Sequence, residues 1–431
     1  MPSSALLRSS ALFFLLSSSL NAADVSELER LVAEALSRNG SVAEARALSE
    51  AARHRVAPAA ALPDPMVSLR YENDGGRPSL GREGMTRLEL MAEQEIPFPG
   101  KRSLAGRIAA TDADGVASRN ARARLGVEGA VRRAYADLLL ARVNGRVVEE
   151  QIGTWKEIEE VTRNRYAAGM GTQQDVLRAQ AEGTRLQQQR VRDEAAAETA
   201  LSEISRLLER PVDPSEILGT DLPAPVEPPS LAEALKRAEE LSPELSEIRI
   251  TKNGADLRID LARRNLKPDF VASAAYMNRG GLPLMWSLGL GVSVPLWAGR
   301  KQAPLIAEAE SLARASVSSE AAMRALLEAR TKERLIRMRQ LVKEAALDTG
   351  GLLVQDQLAV DAALVTYRTG GVPFVAVLEA LGTLFVDRRA AASRLADLMK
   401  TEADLRELSL EGGRPGASPS APGAPSATQG M

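Results

Sequence analysis

The sequence contains no cysteine and a single histidine, His54. Disulfides, thiolate metal sites and thiol nucleophiles are therefore excluded, and imidazole acid–base chemistry is confined to one residue. His54 lies between Arg53 and Arg55 in a predicted helix, which indicates a surface residue rather than a metal ligand. No Ser-His-Asp set, HExxH motif or strand-end carboxylate pair is visible, so the sequence predicts no enzyme, no metal site and no cofactor.

An excess of charge of one sign is also lacking. The chain has 55 Lys and Arg against 57 Asp and Glu, a formal net charge of −2, so no global positive field attracts nucleic acid. Aromatic residues make up only 3% of the 431 residues, whereas apolar residues make up 45%. The apolar content is therefore mostly Ala, Leu and Val, which is typical of long, closely packed helices.

Long hydrophobic runs are missing as well. After the N-terminus, no apolar run approaches the roughly 18–20 residues that a membrane-spanning helix needs. Residues 1–23 are predicted to be a signal peptide, with Arg8, an apolar stretch at 11–16 and small residues ending at Ala22 or Ala23. The alternative is a cytosolic chain with a frayed N-terminus. If the exported chain resides in a membrane, it must do so with strands.

The spacing of apolar residues switches between helical and alternating periods, and this predicts two repeats. The first repeat, 24–209, is predicted to contain a helix, a β-hairpin at 66–98, a long helix at 101–165, a tip at 166–171 and a helix at 172–209. After a proline-rich linker at 210–229, the second repeat, 230–409, is predicted to contain a helix, a hairpin at 270–297, a long helix at 299–367, a tip at 367–371 and a helix at 372–408. The Gly, Pro, Ser and Ala residues of 410–431 predict a disordered tail.

Matching residues recur at a nearly constant distance along the chain. Tyr71 and Tyr276 are 205 residues apart, as are the Pro-Asp pairs at 63–64 and 268–269. Tyr166 and Tyr367 are 201 residues apart. The chain is therefore an internal duplication with a period much longer than that of solenoid repeats.

Each predicted hairpin has one apolar and one polar face. Four strands are fewer than the about eight that a closed barrel needs, and open edges are not tolerated in lipid. Two chains would supply eight strands and three would supply twelve. Aromatic residues stand at both ends of the hairpins, which is typical of interfacial girdles: Phe98 and Trp297 at one end, and Tyr71, Tyr276 and Trp286 at the other.

On these features the chain resembles the TolC family of outer-membrane efflux proteins over almost all of the exported sequence. The resemblance is carried by the duplicated order of elements, the tips Tyr166-Ala167-Ala168-Gly169 and Tyr367-Arg368-Thr369-Gly370, and the strand-to-helix boundaries QEIPFPGKR at 94–102 and VSVPLWAGR at 292–300. Leu62-Pro63-Asp64-Pro65, together with QEIPFPGKR, is similar to the branch that serves heavy-metal resistance pumps of the RND type.

The resemblance implies a mainly α protein with a membrane β-barrel. It implies a homotrimer with a twelve-stranded barrel in outer-membrane lipid, four strands coming from each chain, which continues into a long α-helical barrel in the periplasm. The implied function is the outer-membrane channel of a tripartite efflux system, a passive exit duct for small molecules or metal ions. The implied partners are a periplasmic adaptor and an inner-membrane RND-type pump; no nucleic acid and no cofactor is implied.

The family closes its tunnel with acidic rings just after the glycine break, and the matching positions here are Asp175 and Glu379. For Asp175 the alternative is helix capping with Thr172, because an acid at the third helical position stabilises an N-terminus. Glu379 lies about two turns into its helix, too far for capping, so its alternative is a solvated helix face. Ala376 stands where some family members carry a second acid, which reduces the expected charge of the constriction.

The tip residues are Gly169, Met170, Gly171, Gly370 and Gly371. Tight helix reversal needs positive φ angles, which glycine adopts cheaply, and the resemblance implies that the same surface contacts the adaptor. The rival function is a periplasmic coiled-coil scaffold without a channel. Two alternating hairpins with aromatic ends have no purpose in such a rod, which favours the channel.

Overall fold

The computed structural model describes residues 27–408 of the chain. The predicted signal peptide and the predicted tail therefore lie outside the described residues. Between residues 27 and 408, no helix is both long enough and apolar enough to cross a membrane.

The first half of the chain is helical except for one hairpin. Its elements are α1 (27–38), α2 (Gly40–His54), α3 (Val56–Ala60), β1 (Met66–Glu72), β2 (Arg87–Ile96), α4 (Lys101–Ala167) and α5 (Gln173–Leu208). With its 67 residues, α4 is about 100 Å long at 1.5 Å per residue. Asn39 separates α1 from α2 because its side chain accepts a hydrogen bond from the Ser41 amide and caps the new helix.

The same order of elements recurs after a linker that contains one 3₁₀ turn (Pro214–Glu216). The elements are α6 (Leu231–Leu241), α7 (Pro243–Arg264), β3 (Asp269–Asn278), β4 (Met285–Ser293), α8 (Gln302–Leu347), a π-helical turn (Asp348–Leu352), α9 (Leu353–Arg368) and α10 (Phe374–Glu407). The second copy is therefore more interrupted than the first.

Three boundaries of the second copy differ from the sequence prediction. The single helix expected at 230–265 is divided at Ser242, because Pro243 has no amide hydrogen to donate to the preceding turn. Pro243 instead starts a new helix, which the Ser242 side chain caps. The long helix expected at 299–367 starts at Gln302 and is interrupted by the π-helical turn, which contains Gly350 and Gly351. Strand β4 ends at Ser293, two residues before Pro295, so the predicted extension of the strand to residue 297 is wrong.

The described residues form two compact units, each built from both repeats. The unit called here the tip unit comprises residues 27–35, 125–229 and 330–408, and the sheet unit comprises residues 36–124 and 230–329. Contacts thus group corresponding parts of the two copies and do not separate one copy from the other.

The tip unit has a continuous apolar stripe along α4. Five apolar residues of this stripe are each 5% exposed or less: Val131, Ala134, Tyr135, Leu138 and Ala141. The linker packs beside this stripe. Arg142 donates hydrogen bonds to the carbonyl oxygens of Ile217 and Gly219 at 2.7 and 2.6 Å, and the Glu27 carboxylate accepts from the Leu218 amide at 3.0 Å. These bonds satisfy backbone groups of a linker that has little secondary structure of its own.

The sheet unit contains one antiparallel sheet with the order β1-β2-β3-β4. Within each hairpin, Leu69 pairs with Leu90 and Tyr276 pairs with Trp286. The two hairpins join through β2 and β3, where Leu90 lies opposite Tyr276. Strands β1 and β4 are therefore the edges of the sheet, and neither is paired on its outer side within the described residues.

Candidate functional sites at the helix reversals and the sheet

The two helix reversals of the tip unit have the same hydrogen-bond pattern. Gly169 and Gly370 adopt φ angles of 72° and 84°, and each donates a hydrogen bond to the carbonyl oxygen of the tyrosine three residues earlier. The next residues, Met170 and Gly371, donate to carbonyl oxygens five residues earlier at 2.8 and 2.9 Å. Both reversals are therefore Schellman-type helix ends that need one left-handed residue. Gly171 and Gly371 do not adopt positive φ, so only one glycine of each reversal is required for this reason.

Arg165 connects the two reversals, and the sequence analysis did not single it out. Its guanidinium donates to the Tyr367 carbonyl oxygen and, at 3.1 Å, to the Met170 carbonyl oxygen. The same guanidinium lies 4.6 Å from the centre of the Tyr367 ring. One cation therefore binds carbonyl ends of both helix reversals, where the helix dipoles are negative, and also an aromatic face. Its place one residue before the Tyr166 tip was the only available signal.

An aromatic cluster lies beneath the reversals. Phe374 contacts Trp155 and Tyr367, with ring centroids 6.2 and 5.7 Å apart. Trp155 is 2% exposed and donates from Nε1 to the Ala179 carbonyl oxygen at 2.7 Å, while the Tyr367 hydroxyl bonds Thr162 Oγ1 at 3.3 Å. The polar atoms of the buried rings are thus satisfied. The cluster packs segments of α4, α5, α9 and α10 together.

Asp175 is a capping residue. The Thr172 hydroxyl accepts a hydrogen bond from the Asp175 amide at 3.2 Å, and the Asp175 carboxylate accepts from the Thr172 amide at 3.3 Å. This reciprocal pair is a capping box, as the spacing of the two residues predicts. Asp175 therefore has a structural role at the start of α5, and its side chain remains half-exposed.

Glu379 has a different environment. It lies in the second turn of α10, after Pro373 at the N-cap, and it is exposed. Ala376, one turn earlier, is half-buried. The carboxylate of Glu379 is thus available to solvent or to ions, without the capping role of Asp175.

The sheet has one uncovered apolar face. Cross-strand neighbours on this face are apolar in all four strands, as in the row formed by Leu69, Leu90, Tyr276 and Trp286. These side chains are 48–68% exposed, and Leu290 in β4 reaches 92%. The opposite face carries charged, polar and small residues and a methionine from each strand, with Arg87 2.6 Å from Glu72 and 3.5 Å from Glu89. A continuous apolar face of this kind is the mark of a surface that binds protein or lipid.

The five predicted interface aromatics lie at the two ends of the sheet. Tyr71, Tyr276 and Trp286 are near the hairpin turns, and they are 48%, 49% and 68% exposed. Phe98 follows the other end of β2 and stacks on Phe270, with ring centroids 6.5 Å apart. Trp297 follows β4 and is 72% exposed. The hydroxyl of Tyr71 accepts from the Ser79 amide and donates to the Ser79 carbonyl oxygen, which fixes the first turn.

Two charged clusters elsewhere in the tip unit contain paired residues. Arg133 binds Asp404 at 2.7 Å and Glu407 at 2.5 Å, and burial raises the pKa of the Glu407 carboxyl although Arg133 opposes the shift. Asp193 is 6% exposed and accepts two hydrogen bonds from Arg389 at 2.7 and 2.8 Å. In residues 27–408, no group of three or more His, Asp or Glu side chains is arranged to hold a metal ion.

Comparison with known proteins identifies the type of fold. Residues 31–209 match the family described as outer membrane efflux protein. Among curated proteins, no sequence matches this chain significantly. This match confirms the resemblance to outer-membrane efflux proteins that the sequence indicates.

Three solved structures illustrate the fold. CusC, described in terms of transmembrane channel formation, superimposes with a TM-score of 0.73 and 16% identity, over 90% of this chain and 92% of its own. The outer membrane protein VceC of Vibrio cholerae superimposes with a TM-score of 0.74 and 17% identity, over 89% of this chain and 96% of its own. The MtrE outer membrane channel of Neisseria gonorrhoeae in its open state superimposes with a TM-score of 0.75 and 18% identity, over 89% of this chain and 88% of its own. At these identities the similarity establishes the fold.

Proposed function

We propose that this chain, whose residues 31–209 belong to the outer membrane efflux protein family, is the outer-membrane exit duct of a tripartite efflux system. It is a passive channel that conducts small molecules or metal ions from the periplasm to the outside. The observation that carries the proposal is the four-stranded sheet, which has an exposed apolar face and two unpaired edges.

The sheet supports an assembly in the membrane. Four strands cannot close on themselves, and each unpaired backbone group in lipid costs several kcal/mol. Three chains side by side give a twelve-stranded barrel, with the apolar face toward lipid and the polar face toward water. The exposed Tyr276 and Trp286 near the turns, and Trp297 at the opposite end, then occupy the two interfaces.

The reversals support a gate and a docking surface. Glu379 is exposed in the second turn of α10, and three copies around one axis would form an acidic ring. Asp175 would add a second, weaker ring, because its carboxylate is engaged in the capping box. The exposed Met170, at 66%, offers an apolar contact to a periplasmic adaptor beside Gly169, Gly171, Gly370 and Gly371. An RND-type inner-membrane pump would supply the energy.

The segments Leu62–Pro65 and 94–102 favour the heavy-metal branch of the family, with metal ions as cargo. Cross-linking from Thr172 or Val372, beside the two reversals, tests the adaptor contact.

Gel mobility of the extracted outer-membrane fraction, with and without boiling, tests the proposal directly. We expect a heat-sensitive band near three times the chain mass of 46.1 kDa. A monomer confined to the soluble fraction would contradict the channel and would favour the coiled-coil scaffold.

The gate is tested by single-channel conductance in planar bilayers. We expect Glu379→Ala to reduce the preference for cations severalfold. The matched control is Glu160→Ala, which removes an exposed carboxylate from α4. An unchanged conductance and cation preference in Glu379→Ala would remove this residue from the gate.

A further inference from the structure

The junction between the two hairpins holds a specific ion pair. Lys101, the first residue of α4, is 9% exposed and places Nζ 2.8 and 2.9 Å from the two carboxylate oxygens of Asp269, at the start of β3. Asp269 also accepts a hydrogen bond from the Phe98 amide at 2.6 Å, and Phe98 stacks on Phe270. A basic residue after one hairpin therefore binds an acid before the next.

Equivalent residues stand at the two outer edges of the sheet, one in each repeat. The Lys101 amide donates to the Phe98 carbonyl oxygen at 3.1 Å, and the Arg300 amide donates to the Trp297 carbonyl oxygen at 2.9 Å. These turns make Arg300 the equivalent of Lys101. Asp64, in the first Pro-Asp pair, is the equivalent of Asp269.

These equivalents lack the contacts that their counterparts make. Arg300 and Asp64 are exposed, and neither forms an ion pair in the part of the chain that the structure describes. Trp297 is 72% exposed, whereas its counterpart Phe98 is half-buried. Asp64 precedes β1 and Arg300 follows β4, so one lies at each edge of the sheet.

We propose that a second copy of this chain supplies the missing contacts, with Arg300 of one copy bound to Asp64 of the next. The inference rests on the assembly in the proposed function and states its interface. A second molecule of this chain is the fitting occupant because its edge strand β1 is the duplicate of β3. Strand β4 can therefore pair with this β1 as β2, the duplicate of β4, pairs with β3 within one chain. Charge complementarity is also satisfied, since each copy offers one cation and one anion.

The duplication also defines how β4 pairs with β1 of the next copy. Leu69 pairs with Leu90, and Ala274, which is 205 residues after Leu69, pairs with Leu288, so residues of β2 and β4 are equivalent at an offset of 198. Ala92 lies opposite Ala274 within the chain, and the equivalents of these two residues are Leu290 and Leu69. Leu290 is therefore opposite Leu69 of the next copy, and by the same equivalence Val292 is opposite Val67. All four side chains are at least 55% exposed and share the apolar face. Each copy uses one edge on each side, which is a heterologous contact, and such contacts form a ring when the rotation between neighbouring copies closes.

Disulfide cross-linking of engineered cysteines tests this register. The natural chain has no cysteine, so no native thiol can form a competing disulfide. The test variant is Leu69→Cys with Leu290→Cys. We expect a ladder of disulfide-linked species up to three chains on non-reducing gels, because directly opposite residues are close enough to form the bond.

Two further double variants serve as controls. Ala92→Cys with Ala274→Cys joins a pair that is adjacent within one chain and should link without a gain in mass. Ser68→Cys with Leu290→Cys moves one thiol to the opposite face of the sheet and should give no ladder.

The ion pair is tested by charge reversal. We expect Asp64→Lys and Arg300→Glu each to lower the temperature at which the oligomer dissociates by several degrees, and the double variant to regain most of that loss. Lys301→Glu, a reversal at the exposed neighbouring lysine, should have a smaller effect that Asp64→Lys does not rescue.

The outcomes separate this inference from the proposed function. Suppose that the natural chain forms the heat-sensitive oligomer and that the control cysteines at positions 92 and 274 form a disulfide. If the cysteines at positions 69 and 290 then fail to link, the proposed register is wrong, but the proposed channel is not contradicted. An absence of rescue overturns the ion pair. A natural chain that forms no oligomer overturns both proposals.

Discussion

Tyr166 and Tyr367 occupy the same place in the two repeats, yet Tyr166 is 47% exposed and Tyr367 is 4% exposed. The difference follows from the residue seven positions later. In the second repeat this residue is Phe374, which packs on Tyr367 with ring centroids 5.7 Å apart. In the first repeat it is Gln173, which is exposed. The same tip motif thus provides a buried core residue in one copy and a surface residue in the other.

A second pair of equivalents shows the same contrast. Lys101 is 9% exposed and bound to Asp269, while Arg300 is exposed and unpaired within the described chain. Here the difference is one of position in the sheet, since Lys101 adjoins an internal strand pair and Arg300 adjoins an edge. Duplicated sequences thus form equivalent backbones, whereas the burial of a side chain depends on what packs against each copy.

The largest expected effect concerns the aromatic cluster. Phe374→Ala removes a ring that is 2% exposed, and we expect it to lower the free energy of unfolding by about 3–5 kcal/mol. The matched change Gln173→Ala should stay within about 0.5 kcal/mol, as for most surface substitutions. Denaturant unfolding followed by far-ultraviolet circular dichroism measures both. Similar losses in the two variants would show that the reversals are equally packed.

The next effect separates Lys101 from Arg300. Lys101→Met leaves Asp269 with one partner fewer, and we expect a loss of about 1–3 kcal/mol in the free energy of unfolding, since a partly buried charged acceptor is left underbonded. Arg300→Met should leave that free energy unchanged and should lower only the temperature at which the oligomer dissociates. Unfolding curves and heated gels distinguish the two. A loss of chain stability in Arg300→Met would contradict the edge position.

The glycines of the reversals give a smaller effect. Gly370→Ala places a side chain at φ 84°, which we expect to cost about 1–2 kcal/mol of unfolding free energy. Gly382→Ala, within α10 and with open space around the added methyl group, should instead stabilise the chain by about 0.5–1 kcal/mol. Thermal unfolding of the two variants checks the opposite signs. A stabilising Gly370→Ala would show that the reversal does not need a left-handed residue.

The smallest effect is a pH dependence. Burial raises the pKa of the Glu407 carboxyl above its usual 4.5, so its contribution to folding is full below about pH 4.5 and is lost as the pH rises through the raised pKa. We expect Glu407→Gln to abolish this component, so that the unfolding free energy of the natural chain falls more steeply with pH than that of the variant. Unfolding curves at a series of pH values test it, with Glu160→Gln as the exposed control. Equal slopes for the natural chain and Glu407→Gln would refute the raised pKa.

Local signals explain why much of the fold could be predicted. The capping spacing of Thr172 and Asp175 appears as a complete capping box, because its hydrogen bonds involve only neighbours in sequence. The alternation at 66–72 and 87–96 gave the strands of the first hairpin for the same reason. Pro243 was an available signal for the break between α6 and α7, and the prediction of one helix at 230–265 overlooked it.

The tip contacts could not be predicted in this way. Arg165 binds the Tyr367 carbonyl oxygen, which is 202 residues away along the chain, and no local pattern marks it. The π-helical turn at 348–352 depends equally on packing, since Asp348 there is buried beside Arg394 of α10.

Residue types and their spacing along the chain were enough to predict the excluded thiol chemistry, the order of helices and strands, the two faces of each hairpin and the duplication. Which member of each repeated pair is buried depends on how the chain packs in three dimensions. Tyr367 contacts Arg165 and Thr162, and Lys101 binds Asp269, and these partners come from distant segments. Within residues 27–408, the side chains of Tyr166 and Arg300 have no such partners, although the local sequence pattern is the same. Burial removes a side chain from water only where another surface packs against it, and the two copies of the repeat pack against different surfaces.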